Sequence, residues 1–87
     1  MGRIIINNAF PNNDRNDHLI ACVLIEGHVN AGDSIMLNSE LKLNITLVEK
    51  INYSSNFQHL SLTVEEKKDA NFTYSEFFGK ELKIINQ

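Results

Sequence analysis

Apolar and polar residues alternate along most of this chain with the two-residue period of a half-buried strand. "RIII" (3–6) is a short β-branched run. "HLIACVLIE" (18–26) is continuously apolar, too short for a typical helix, and predicts a strand with both faces at least partly covered. "SIML" (34–37) predicts another strand. In "LKLNITLVEKI" (41–51), Leu41, Leu43, Ile45 and Leu47 fall on one face. Val48 and Ile51 then break phase, which predicts a bulge near Val48–Glu49. "FQHLSLTVE" (57–65) alternates again, with Leu60, Leu62 and Val64 in step, and "ELKII" (81–85) reads as a last strand.

The segments between these runs have turn composition. "FPNNDRND" (10–17) holds the only Pro among Asn and Asp and reads as a loop. "NSE" (38–40), "NYSSN" (52–56) and the charged "EKKDAN" (66–71) read as turns, the last also guarding a strand edge. "YSEFFGK" (74–80) fits one helical turn closed by Gly79. Short strands at 8–12-residue spacing without a long helix predict an all-β fold. Closure into a barrel removes sheet edges, so the expectation is one domain, residues 1–87, forming a small closed antiparallel barrel of six to seven strands.

The stretch "EGHVNAGDSIML" (26–37) has its own logic. Gly27 ends the long strand and Gly32 turns the chain back, each at a point where positive φ is useful. Val29 between them can plug the barrel. Asp33 can accept backbone N–H bonds across the turn.

This pattern resembles the second, β-barrel domain of translational GTPases of the elongation factor Tu class. That family has a strand ending in Gly, then a hydrophobic residue, Gly-Asp and a short strand. "ITLVEKI" (45–51) resembles its strand bearing a Val-Glu pair, at Val48-Glu49. "HLSLTV" (59–64) resembles the following strand, with Ser61 at a small-residue position, and "FFGKELKI" (77–84) resembles the closing element. The resemblance runs from about Ile4 to Ile85. It departs from the family at "NNDRND" (12–17), which replaces a Gly-containing loop, and at "SSNFQ" (54–58), which stands where the family has Ala-Gly-Asp. It implies a translation-factor barrel. It also implies a contact near the family's aminoacyl-tRNA site for Glu49 and, beside it, His59, with Arg15 and His18 at the rim. A Glu–His pair there would make binding pH-dependent in the range where histidine titrates.

Composition and charge narrow the function. The 87 residues carry a net charge of −3, and the eight Lys and Arg form no basic block. This argues against non-specific binding to DNA or to an anionic membrane. No G-x-x-x-x-G-K-[ST] occurs, so nucleotide binding is not expected. The single Cys22 excludes an intrachain disulfide and sits in an apolar run that predicts burial. With no secretory signal and no apolar run near 20 residues, the expected compartment is the cytoplasm. The sequons at Asn44, Asn52 and Asn71 follow from an Asn-rich chain. His18, His28 and His59 have no ligand spacing, and "DRND" lacks the Gly and Glu of a calcium loop, so neither metal nor cofactor is expected.

The expectation is therefore a non-enzymatic binding module with no catalytic residues. Its partner is a protein or a ribonucleoprotein. The alternative is a free-standing immunity-type or inhibitor protein that binds one protein target, which the acidic balance favours. The sequence sets no oligomeric state.

Overall fold

The computed structural model describes residues 2–12, 17–51, 57–65 and 73–87. Six antiparallel strands form a closed barrel: β1 (Gly2–Asn12), β2 (Asp17–Glu26), β3 (Ser34–Met36), β4 (Lys42–Ile51), β5 (Gln58–Glu65) and β6 (Glu81–Ile85). Their order around the barrel is β1-β2-β5-β4-β3-β6, and β6 closes back on β1 through Gly2↔Ile84 to Ile5↔Glu81. The expected all-β barrel is thus the fold, with six strands. The turns expected at 52–56 and 66–71 lie outside the described residues, as does Arg15.

The alternation builds the core. Ile4, Ile6, Ile20, Ile35, Leu43, Leu62, Val64 and Ile84 are fully buried, and Cys22 sits among them at 2% exposure. Each such aliphatic side chain contributes roughly 1.5–3 kcal/mol relative to exposure. Burial pushes the Cys22 thiol up to about 12, far from thiolate formation at neutral pH.

The first strand is longer than its composition implies. Phe10, Pro11 and Asn12 continue β1 instead of forming a loop, paired with Leu19, His18 and Asp17. The reason is position. Beyond Ile5 the strand no longer pairs with β6, and after the bridge from Ile6 to Phe78 its far side has no strand partner among the described residues. There the Ala9 N–H donates to the Asn8 side chain at 2.9 Å, and Pro11 has no N–H to leave unpaired. An extra residue, Asn7, between Ile6↔Cys22 and Asn8↔Ala21 keeps the strand in phase with the barrel.

The two ends of the barrel are closed differently. At one end Val29 inserts as a plug, 8% exposed, between Gly27 at φ 76° and Gly32 at φ 99°. Both glycines occupy the left-handed region that other residues avoid. Asp33, 4% exposed, accepts from the Asn30 N–H and the Asn86 side-chain amide on one oxygen and from the Gln87 N–H on the other, all at 2.8 Å. The Gly-Asp pair therefore ties the plug to the chain that leaves β6. At the other end, the expected single turn is a 3-10 turn, Tyr74–Phe77, followed by Gly79 at φ 78°. The Gly79 N–H donates to the Ile6 carbonyl at 2.8 Å, and Tyr74 stacks on His18 with centroids 4.5 Å apart. Among the described residues no helix is long and apolar enough to cross a membrane.

Candidate functional site

The candidate site begins with a bulge in β4. Ile45 pairs with Val64 and Leu47 with Thr63, so Thr46 is the extra residue; its hydroxyl donates to the Thr63 carbonyl at 3.3 Å. The bulge expected near Val48–Glu49 thus falls two residues earlier. This corrects the facing of Leu47, which turns outward and is 49% exposed, while Val48 takes the core phase opposite Leu62. The physical cause is pairing with β5. Keeping Leu47 inward would leave the next core position to a charged residue, Glu49.

After the bulge, Leu47, Glu49 and Ile51 point outward against Thr63, Ser61 and His59. The same phase continues across β2 and β1, because Leu19, Ala21 and Val23 alternate with the buried Ile20 and Cys22. The outer surface of β1-β2-β5-β4 is thereby ordered into rows. Phe10, Leu19, Thr63 and Leu47 form one; Asn8, Ala21, Ser61 and Glu49 form the next; Ile5, Val23, His59 and Ile51 form the third. Thr63 lies in an outward row yet is only 6% exposed, with Leu19 and Leu47 in register on either side, while Phe10 at the row's end is 49% exposed.

Glu49 and His59 share this face. Glu49 is exposed and faces Ser61, so His59 is its diagonal neighbour, a separation of about 7–8 Å between Cα atoms. His18 is not with them. It pairs with Val64, five residues along β5 from His59, and lies in the inward phase of β2 against Tyr74. Arg15 lies outside the described residues.

Among the described residues, the charge on this face is one-sided. None of the described Lys or Arg residues stands on the three rows. Beyond Leu19 and Thr63, the next outward pair is Asp17 opposite Glu65, two carboxylates directly across a strand pair. Asp17 Oδ1 accepts no hydrogen bond among the described residues. Three of the described basic residues gather elsewhere: Lys42, Lys83 and Arg3 align, with Met36 among them, across β4-β3-β6-β1, and Arg3 is ion-paired to Glu26 and Glu81. Sequence reasoning found no basic cluster because these residues are scattered along the chain and meet only through the register.

Among the described residues, two concavities can be outlined. A cleft of about 160 Å³ beside the Val29 plug is lined by Leu24, His28, Val48, Lys50 and Gln58. An open groove of about 440 Å³ runs along Met36, Leu37, Lys83 and Ile85. The first is smaller than the roughly 300–1,000 Å³ of typical ligand pockets. Among the described residues, no group of three or more His, Cys, Asp or Glu is placed to hold a metal ion.

No family model matches this chain, and neither a curated protein nor a solved structure matches it.

Proposed function

We propose that this protein is a non-enzymatic binding module of the cytoplasm that docks a partner on the outer face of β1-β2-β5-β4. The observation that carries this reading is the β4 bulge, which turns Leu47, Glu49 and Ile51 onto the outward face that His59 of β5 already occupies. Seven of the twelve residues in the three rows are apolar, and contiguous apolar surface marks docking sites on other proteins. The resemblance to the second domain of elongation factor Tu-class GTPases supports the same strand, because it aligns Glu49 with the family's Val-Glu position.

Between a ribonucleoprotein and a single protein target, the distribution of charge favours the protein. A phosphate backbone is held by Lys and Arg, and the described residues of these rows include neither. A free-standing inhibitor or immunity-type protein fits that balance better than an RNA-docking barrel. The test is affinity purification of the tagged protein from native lysate, with mass spectrometry and an RNA assay on the same eluate. The reading expects one protein retained by the parent and lost with Glu49→Ala and His59→Ala. Retention by both folded variants would contradict it.

A further inference from the structure

The rows around Glu49 specify the chemistry of the partner, an inference that rests on the binding face proposed above. Three observations combine. Asp17 and Glu65 face each other in register at one end of the face, like charges directly opposite, and among the described residues neither is ion-paired. The neighbouring row, through Leu19, Thr63 and Leu47, is apolar and half-exposed at its end. The row after that carries Glu49. Acid, apolar and acid rows therefore alternate along the strands. Two residues of strand advance about 6.7 Å, so the two acidic rows lie about 13 Å apart.

From this spacing we infer that the face binds a protein segment presenting one large apolar side chain between two cationic ones about 13 Å apart. An extended segment with Lys or Arg at positions i and i+4 and an aromatic at i+2 matches it. The apolar group covers the Leu19–Leu47 row. One cation meets the exposed Glu65, across from Asp17, at one end, and the other meets the exposed Glu49. Covering Glu49 with an uncharged surface would desolvate a carboxylate without compensation, which an arginine opposite it avoids. An RNA strand brings further negative charge to all three carboxylates and is disfavoured by the same geometry.

The experiment is a titration of the ¹⁵N-labelled full chain, followed by amide shifts. One probe is the capped peptide Arg-Ser-Trp-Ser-Arg, a second is its Glu-Ser-Trp-Ser-Glu counterpart, and a third is a single-stranded RNA dodecamer. The expected result is that the Arg peptide moves Leu19, Ala21, Ser61, Thr63 and Leu47 and binds at least tenfold more tightly than the Glu peptide. Its affinity should fall as salt rises and drop severalfold with Glu65→Gln, an exposed substitution whose folding the same spectrum reports. Glu49→Lys should shift the preference toward the Glu peptide. Equal binding of both peptides, or shifts confined to Met36, Lys83 and Ile85, would overturn the inference. So would an absence of shifts, which would mean that the chain itself answers these charges. RNA moving the same rows while the Arg peptide does not would also overturn it, but would leave the proposed face standing. Glu65 and Asp17 take no part in the test of that face, so the two ideas fail separately.

Discussion

Replacing Asp33 with Asn tests whether the Gly-Asp turn is a latch. The parent carboxylate accepts three hydrogen bonds at 2.8 Å, from Asn30, Asn86 and Gln87, and is nearly inaccessible to solvent. An Asn can keep its oxygen toward Asn30 and Asn86, but its amide nitrogen then faces the Gln87 N–H, donor against donor. A hydrogen bond to a charged acceptor contributes about 1.5–3 kcal/mol, and a neutral one about 0.5–1.5 kcal/mol. One charged bond is lost and two are weakened, partly offset by relief from burying a charge. The net loss is about 2–3 kcal/mol, or about 8–24 °C in melting temperature for a domain of this size.

The pH dependence supplies a second check. Burial by itself raises the Asp33 pKa, but the bonds from Gln87, Asn30 and Asn86, with the charge of His28 adding, outweigh it and hold the pKa below the usual carboxylate value. A depressed native pKa contributes stability above the unfolded value, about 3.9, and loses it as pH falls through the native value. Thermal melts of parent and Asp33→Asn from pH 7 downward should therefore show a gap that narrows in acid. A variant that melts with the parent at pH 7 and follows the same acid branch would refute the latch.

Three further outcomes are expected. Gly32→Val forces a β-branched residue to φ 99° and crowds the Gln87 side chain, costing about 1–3 kcal/mol; an unchanged thermal midpoint would remove the turn argument. Cys22 should resist a bulky thiol reagent until denaturant is added, and rapid native-state labelling would contradict its place in the core. A fluorescent guanine nucleotide should show no micromolar binding, since the chain has no phosphate loop, and saturable binding would reverse that expectation.

The glycine turn was legible because each residue has a local reason. Gly27 and Gly32 supply positive φ, Val29 is the only apolar branch between them, and Asp33 has a backbone donor, Asn30, three residues away. The core phase of β5 was legible for the same local reason, alternation of Leu60, Leu62 and Val64 with polar residues. Two features were not. Pro11 and the Asn residues around it signal a loop, and only the missing β6 partner beyond Ile5 makes Pro11 acceptable in a strand. Leu47 and Val48 are adjacent and both apolar, so the sequence allows the phase to break on either side. Pairing with Thr63 and Leu62 decides it. That Glu49 and His59 share one outward face was legible from the strand pattern, but the rows around them were not. Those rows arise where β2 meets β5, a pairing between segments about 40 residues apart, and hydrophobic periodicity carries no information on which strands become neighbours.

The most direct test of the binding face is an affinity measurement with the partner recovered from lysate, immobilised and titrated with four forms of the protein. These are the parent, Glu49→Ala, His59→Ala, and a control on the opposite side of the barrel, Lys83→Ala. All four should keep the parent's dispersed amide spectrum, because Glu49 and Lys83 are exposed and His59 lies on the outer surface. The account predicts that Glu49→Ala and His59→Ala each weaken binding by more than about tenfold while Lys83→Ala leaves it within about twofold. Parent-like affinity for both Glu49→Ala and His59→Ala, with the loss appearing instead at Lys83, would contradict it.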